Sequence, residues 1–249
     1  MKIWKNSILI ILIVSLLISI SASISAETIT DDTNDVYYYT FNAQNGKYSL
    51  STKNIQDKGH VDIISASYEI DGNTLNMSMT VSEEIPGFSM MSTCTYILYY
   101  GDPDNTNNGW HTASYISTGT ATYQTIEGGT QNIGYLTDPI SDDGKTFSAS
   151  FEIQTTNPDF EFWATAMEIQ TDISNIDPEN PQNFETKTYV DVAPFGPGEW
   201  SGSMFLPKGG SSSADDDNGG GIPGFEILTL IVSVGIFFII IKRKKYKTL

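Results

Sequence analysis

Cysteine, histidine and arginine are the residues that this 249-residue chain has least of. It contains one cysteine, Cys94, two histidines, His60 and His111, and a single arginine, Arg243. One cysteine excludes an intrachain disulfide and any zinc site built from paired thiolates. With two histidines and no G-x-S-x-G segment, the chain lacks the signature of a Ser-His-Asp hydrolase. We expect Cys94 to be a buried small hydrophobe and both histidines to lie on the surface.

Basic residues are also scarce between the two hydrophobic ends of the chain. Residues 27–221 keep 6 of the 13 basic residues and 29 of the 30 acidic ones, which gives them a net charge of −23. Such a surface repels phosphate backbones, so nucleic-acid binding is excluded. Metal cations, basic proteins and neutral glycans remain as partners. The alternative is an acidic surface that serves only solubility or adaptation to salt.

The N-terminal end has the three parts of a secretory signal peptide. Met1 to Lys5 is short and basic, Ile8 to Ile18 is an apolar core, and small residues lead to Ala26. This order predicts a signal peptide over residues 1–26, with cleavage after Ala26. The alternative is an uncleaved membrane anchor, because Ile24 stands where the cleavage consensus has a small residue.

The C-terminal end has the pattern of a membrane anchor. Pro223, Gly224 and Phe225 precede an uncharged apolar run that ends at Ile241, and a basic cluster follows it. The pattern predicts one transmembrane helix, with the motif, over residues 222–241 and a cytoplasmic tail over 242–249. The helix is short for a ~30 Å hydrocarbon layer, which lysine snorkelling or a brief residence in the membrane would reconcile.

This C-terminal pattern closely resembles the PGF-CTERM sorting signal of archaeal surface proteins, including Glu226 directly after the phenylalanine. The resemblance implies that a membrane transpeptidase of the archaeosortase type cuts the chain near the Pro-Gly-Phe motif and joins it to a lipid. The alternative is a stable single-span protein that keeps its tail. Both predict an extracytoplasmic protein anchored to the cell membrane.

Between its ends the chain has the sequence period of β-strands. Residues 64–70 and 75–81 alternate apolar and polar side chains on either side of Asp71-Gly72, which predicts a hairpin with one solvent-exposed face. Residues 147–153 show the same alternation. By contrast, 94–100 and 160–169 are apolar on both faces, as central strands are.

No window between residues 31 and 206 sustains a helical period. We therefore predict an all-β fold, with a single antiparallel β-sandwich ectodomain of roughly ten strands over residues 27–207. Residues 208–221 are rich in Gly, Ser and Asp and have no large apolar side chain, so we expect a flexible linker there.

The ectodomain resembles the sandwiches of DOMON domains and of family-nine carbohydrate-binding modules. The resemblance rests on an Asp-rich opening at 31–36, a hairpin that begins at Asp62-Ile63, the segment Asp102-Pro103-Asp104 after a strand, and the closing segment 189–194. It implies a protein that binds a sugar, haem or calcium. It would also bring Asp31, Asp32 and Asp35 near Asp191.

Calcium is the ligand that the residues themselves favour. A hard cation takes six to eight oxygens from a flexible loop, and four candidate ligands alternate along 102–109: Asp102, Asp104, Thr106 and Asn108. This loop departs from an EF-hand, because Ala113 stands where the bidentate acid is expected. Asp172, Asp177 and Glu179 form another acidic cluster. In each case the alternative is a turn stabilised by its own Asp and Asn side chains.

Aromatic side chains offer a second kind of candidate site. Trp110 lies beside a Gly-containing loop and Tyr38 belongs to a run of three tyrosines, so we consider both as rings on which a sugar stacks; the alternative is core packing. Asn76 begins the only N-glycosylation sequon and is predicted on the solvent-exposed face of the hairpin.

These features predict a non-enzymatic protein of an archaeal cell surface, an envelope-anchored binding or structural module. A sharper form of this hypothesis is an adhesion domain that depends on carbohydrate or calcium. Its partners would be the membrane, a sorting transpeptidase, and a glycan or envelope protein. The alternative from a different class is a surface hydrolase or a haem-binding redox protein related to DOMON domains.

Overall fold

The computed structural model describes residues 25–42, 47–52, 57–89, 91–102, 105–106, 108–171 and 185–194. These residues form twelve β-strands and no helix. In chain order the strands are β1 (Ser25–Thr30), β2 (Tyr37–Asn42), β3 (Lys47–Thr52), β4 (Ile63–Asp71), β5 (Thr74–Val81), β6 (Ser92–Gly101), β7 (Trp110–Ile116), β8 (Thr120–Glu127), β9 (Thr130–Tyr135), β10 (Thr146–Glu152), β11 (Glu161–Thr171) and β12 (Glu185–Ala193). The chain divides into two units, Met1–Ser211 and Ser212–Leu249, and every described residue belongs to the first.

The strands form two antiparallel sheets of different width. The small sheet has four strands in the order β1-β4-β5-β10, and the large sheet has eight in the order β3-β2-β12-β11-β6-β7-β8-β9. The chain passes repeatedly from one sheet to the other, for example between β1 and β2 and between β3 and β4. The predicted all-β architecture of two antiparallel sheets is confirmed for the part of the chain that the structure describes.

Strands β4 and β5 form the hairpin that the alternating pattern predicts. They are joined through Gly72 and Asn73, and Gly72 takes a φ of 61°, which glycine adopts without strain. Every second residue of β5 is buried. The prediction for β4 is wrong at its first position, because a register shift between Ile63 and Ser65 turns Ile63 rather than Ile64 into the core.

Aromatic side chains join the two sheets across a shared core. The ring of Tyr68 in β4 lies 4.8 Å from Tyr100 in β6 and 5.2 Å from Phe162 in β11. Further along the large sheet, Tyr123 in β8 stacks on Phe151 in β10 at 4.7 Å. The small sheet therefore packs against the middle of the large one, as expected of a sandwich-like fold.

Strands β6 and β11 lie side by side in the middle of the large sheet, in the central positions that their apolar sequences predict. Phe162 to Glu168 are buried without interruption. Cys94 is also buried, with 1% of its surface exposed, as its place in an apolar run predicts. These two strands place Cys94 and Glu168 opposite each other in register.

The ends of the chain lie outside the described residues, and with them most of the predicted signal peptide, the linker and the C-terminal anchor. Strand β1 begins at Ser25, so the predicted cleavage after Ala26 would remove its first two residues. Within the described ranges, no helix is long and apolar enough to cross a membrane.

Candidate metal centre

Acidic side chains meet the core where residues 57–63 lead into β4. The backbone N–H of Ile63 donates to Oδ2 of Asp191 in β12 at 2.6 Å. Earlier in the same segment, Lys58 Nζ donates to Oε2 of Glu168 in β11 at 2.6 Å. Because Asp191 pairs in register with Ala166, two residues before Glu168, both carboxyls point from neighbouring strands toward the small sheet. Two acidic clusters therefore lie next to each other.

The first cluster brings together three aspartates from two parts of the fold. Asp31 and Asp35 belong to the connection between β1 and β2, which passes from the small sheet to the large one, and Asp191 belongs to β12. One carboxylate oxygen from each lies within 4.8 Å of the other two. We call these residues the aspartate triad. The structure thus places Asp31 and Asp35 beside Asp191, as the family resemblance implies; Asp32 is exposed and not part of this convergence.

Burial and mutual repulsion both disfavour the charged form of the triad. Burial is the main cause that raises the pKa of Asp31 to about 7, and the charge of Asp35 adds to it. The pKa of Asp35 is also raised, by burial and then by the charges of Asp62 and Asp32. Asp191 is fully buried, and burial together with Asp31 and Asp35 holds its pKa well above the usual range.

Hydrogen bonds satisfy the triad only in part. Asp191 accepts from the backbone N–H groups of Ile63 and Val192, at 2.6 and 2.8 Å. However, Oδ2 of Asp31 and Oδ1 of Asp35 are buried and have no hydrogen-bond partner. Among the described residues, no lysine or histidine forms a salt bridge with any of the three. With the partners that the described residues supply, the triad favours bound protons or a cation at this point of the core.

A calcium ion fits this arrangement of oxygens. Calcium binds carboxylate and carbonyl oxygens at about 2.3–2.6 Å, so two ligands of one ion lie at most roughly 5 Å apart. The triad oxygens meet this limit. The set contains no nitrogen or sulfur ligand, which separates it from the usual zinc sites.

The second cluster is centred on Glu168, a buried acid in strand β11. Its carboxylate accepts hydrogen bonds from Lys58, from His60 at 3.2 Å, from the Ser92 hydroxyl and from the Gln170 amide. Burial alone would raise the pKa of Glu168, but the hydrogen bonds from these four donors hold it below its usual range. Lys58 also lies 4.2 Å above the ring of Tyr189.

Cys94 adjoins this second cluster, and ligand atoms of His60, Cys94 and Glu168 lie within 4.8 Å of one another. Zinc binds these three types of side chain. However, burial and then the charge of Glu168 raise the pKa of the Cys94 thiol to about 12. Glu168 already accepts from an ammonium group and from three further donors. We therefore interpret the second cluster as a structural ion pair.

The loop predicted to bind calcium, 102–109, is described in part. Asp102 and Thr106 are half-buried and Asn108 is exposed, whereas Asp104 lies outside the described residues. The amide oxygen of Asn108 accepts from the backbone N–H of Gly128 at 2.8 Å, which ties this loop to the turn between β8 and β9. A metal site here stays a prediction, as does one at Asp172, Asp177 and Glu179, which the structure does not describe.

The two candidate stacking aromatics take different positions. Trp110 is the first residue of β7 and is 6% exposed; its ring lies 5.4 Å from Trp163 and 5.8 Å from Tyr99. The alternative of internal packing therefore describes Trp110, and its ring offers no open face for a sugar. Tyr38 is half-buried and stacks on Tyr189 at 5.2 Å.

The prediction that both histidines lie on the surface is wrong for His111. It is fully buried, because its position in β7 points into the core, where its ring stacks on Tyr100. Burial is the main cause that lowers the pKa of His111, although nearby Glu127 opposes it. His60 keeps 19% of its side chain exposed while it contacts Glu168.

Asn76 lies on the less buried face of β5, as the hairpin pattern predicts. Its side chain lines a shallow groove of about 410 Å³ on the small sheet, together with Ser78 and Ser150. The Ser150 hydroxyl donates to the Asn76 amide oxygen at 2.8 Å.

Comparisons of the chain with protein-family models, with curated proteins and with solved structures found no match. The family resemblances therefore stay predictions.

The aspartate triad predicts a pH dependence of stability in the absence of metal. A carboxyl whose folded-state pKa is raised stabilises the fold below its unfolded pKa, and this contribution is lost as the pH rises through the folded value. For Asp31 the window runs from 3.8 to about 7. In EGTA at pH 8 we expect Asp31→Asn to be more stable than wild type by roughly 1 kcal/mol, a value reduced for partial exposure.

Urea unfolding of both proteins at several pH values measures this difference. The advantage of Asp31→Asn should shrink from pH 8 to pH 4, because protonation removes the same charge from the wild type. Asp71→Asn, on the exposed hairpin end, is the matched control and should show no such trend. An Asp31→Asn advantage independent of pH would contradict a raised pKa at this position.

The second cluster predicts that Glu168 depends on Lys58. Lys58→Met keeps the aliphatic stem over Tyr189 but removes the ammonium group from a buried carboxylate. We expect a loss near the lower end of the roughly 3–5 kcal/mol typical of a broken buried pair, because three other donors remain. Denaturant unfolding at pH 7 measures the loss, with exposed Lys187→Met as the control. Rescue of Lys58→Met by added zinc would contradict the interpretation as an ion pair.

Proposed function

We propose that this protein is a non-enzymatic, envelope-anchored module of an archaeal cell surface, and that calcium bound at the aspartate triad holds its fold together. The observation that carries the calcium proposal is the convergence of Asp31, Asp35 and Asp191 with no cationic side chain bound to them among the described residues. The anchoring part rests on the two hydrophobic ends of the sequence and on the resemblance to a sorting signal.

Calcium at the triad would have a mechanical role. The 31–36 connection carries two of the ligands and passes between the sheets, whereas Asp191 sits in the large sheet and is hydrogen-bonded to the first residue of β4 in the small one. One ion would therefore link the connection to both sheets. Ion binding would also replace the repulsion between buried carboxylates with attraction. Because only the folded state brings these carboxylates together, the ion would stabilise the folded state and not the unfolded one.

The setting of the site favours calcium in this role. The segment predicted to lie outside the cell has a net charge of −23, so it concentrates cations near its surface. Extracellular modules bind calcium with dissociation constants of about 10⁻⁴–10⁻³ M. A module rigidified in this way would serve as a structural or adhesive element, with an envelope protein or a glycan as its partner.

The calcium proposal predicts a stability gain that depends on the triad. At a calcium concentration a hundred times the dissociation constant, the folded state should gain about 2.7 kcal/mol. Magnesium should give less, because it demands a regular octahedral site. The gain should disappear in Asp31→Asn and in Asp35→Asn. Thermal unfolding of the purified protein in calcium and in EGTA, at fixed ionic strength, measures it.

A matched variant separates the two candidate calcium sites. Asp102→Asn removes one carboxylate from the 102–109 loop and leaves the triad intact, so the calcium gain should persist in it. If the gain persists in Asp31→Asn and disappears in Asp102→Asn, calcium binds the loop instead. A melting temperature that calcium does not change in wild type would disprove calcium binding at either place.

The anchoring proposal predicts a defined mature C-terminus. If a transpeptidase processes the chain, protein extracted from membranes should end near Gly224 and carry the added mass of a lipid. Intact-mass spectrometry measures this directly. Replacing Pro223, Gly224 and Phe225 with alanine should leave the complete tail attached, because the sorting motif is gone.

The single-span alternative gives the opposite mass. Wild type would then keep the peptide that ends Tyr246-Lys247-Thr248-Leu249, and the alanine variant would have the same C-terminus. A control in which Lys244 and Lys245 are replaced with glutamine tests the basic cluster separately: loss of membrane retention before processing would support its role as the stop signal.

A further inference from the structure

Strand β9 is the outermost strand of the large sheet and takes no part in the core. It pairs only with β8, through the register Glu127↔Thr130 to Thr122↔Tyr135. Five of its six residues are exposed, and the sixth, Gly134, is half-buried beneath the ring of Tyr123. Ile133 and Tyr135 are 63% and 83% exposed, which makes them two of the four large apolar side chains exposed in the described part of the chain.

Within the part of the chain that the structure describes, this edge has none of the features that normally prevent strands from adding to a sheet. Such features are charged side chains, proline, a bulge or a covering segment. The β9 sequence Thr-Gln-Asn-Ile-Gly-Tyr has no charge and no proline, and its pairing with β8 has no register shift. The edge strand β10 of the small sheet differs, because residues 139–141 cover it: Ser148 N–H donates to Pro139 O, and Ser141 N–H donates to Thr146 O.

The turn before β9 determines which backbone groups are free. Gly128 and Gly129 form a two-residue turn, and both take positive φ, 55° and 75°. In such a hairpin the closing pair, Glu127 and Thr130, is hydrogen-bonded, and every second pair after it is as well. Thr130, Asn132 and Gly134 therefore turn their backbone groups to β8. Gln131, Ile133 and Tyr135 turn theirs to the open edge.

Charge decides which strand fits this edge. The chain has a net charge of −17, so two copies repel each other over most of their surfaces. Strand β9 is uncharged, and the Glu127 carboxylate beside it is occupied by the backbone N–H groups of Gln154 and Thr155. A basic partner would be attracted to the acidic surfaces instead. Within residues 130–135, pairing with a second copy of this chain sets no like charges opposite each other.

We propose that β9 is a self-association edge, at which two copies pair their β9 strands antiparallel and join their large sheets into one. A two-fold axis through such an edge must relate residues of the free set to one another. Of the registers that meet this condition, the one that pairs all three free residues with one another places Ile133 opposite Ile133 of the partner subunit. Gln131 then faces the partner's Tyr135, so both exposed apolar side chains of each copy gain a cross-strand neighbour. A contact made by the edge of one short strand buries little area, so the dimer is weak and forms only where many copies of the protein lie close together.

Disulfide trapping in the full-length chain tests this register. The only native cysteine, Cys94, is 1% exposed and gives little background. Paired residues in an antiparallel ladder have Cα atoms roughly 5.5 Å apart, within the range of a disulfide. On mild oxidation, Ile133→Cys should give a covalent dimer on a non-reducing gel, several-fold more than Phe88→Cys, a control that is 67% exposed in a loop away from β9.

A second pair of variants checks the geometry. Gln131→Cys and Tyr135→Cys should each give little dimer alone, since the same residues of two copies lie roughly 13 Å apart along the strands. Mixed together, they should cross-link. Ile133→Cys dimer no greater than that of Phe88→Cys would overturn the proposal. So would cross-linking of Gln131→Cys alone to the same extent as Ile133→Cys.

Discussion

The unequal width of the two sheets is the constraint on which the other features of this structure depend. Four strands cannot cover eight, so the small sheet packs against the middle of the large one, with Tyr68 on Phe162 at one side and Phe151 on Tyr123 at the other. Beyond Tyr123, none of the described strands lies opposite β9, and five of its six residues are exposed. Toward β12, loops rather than strands close the core, and these loops bring charged groups into it.

Toward β12, the Glu168 cluster and the aspartate triad lie next to each other, and their buried carboxyls have different electrostatic surroundings. Lys58 and three further donors hydrogen-bond to the Glu168 carboxylate, so the charged form of Glu168 is favoured. The triad has backbone donors at Asp191 but, among the residues that the structure describes, no cationic side chain, and burial disfavours its charged form. The same short segment, 57–63, contacts both. A chain with six basic residues in 27–221 has few lysines for such pairs, which makes an external cation the simpler partner for the triad.

Local sequence patterns predict the strands but not their neighbours. Alternation in 75–81 and 147–153, and the largely apolar segments 94–100 and 160–169, place most of the buried residues of β5, β10, β6 and β11, because burial on one or both faces dictates these patterns. The register shift at Ile63 has no such signature. The ion pair of Lys58 with Glu168 has no local sequence signature either, because residues 110 apart in the chain meet only through the topology.

His111 shows the same limit at a single position. Next to a loop and adjacent to Trp110, it has the sequence context of a surface residue, but strand β7 begins at Trp110 and its phase turns His111 inward. Glu168 carried a usable signal, since an acid inside the apolar run 162–169 must find donors in the core. The triad was accessible only through the resemblance that relates 31–36 to Asp191; the spacing of these residues along the chain gives no indication of it.

The two proposed sites, the aspartate triad and the β9 edge, lie toward opposite edges of the large sheet. Between β12, which carries Asp191, and the free edge at β9 stand β11, β6, β7 and β8. The buried central strands make this distance rigid, because their side chains are packed on both faces. An ion at the triad would therefore act on the fold locally, by joining loops to sheets, and would leave the register of β9 unchanged. Metal-dependent stability and edge-to-edge association would then be separate properties, each governed by residues that the other does not use.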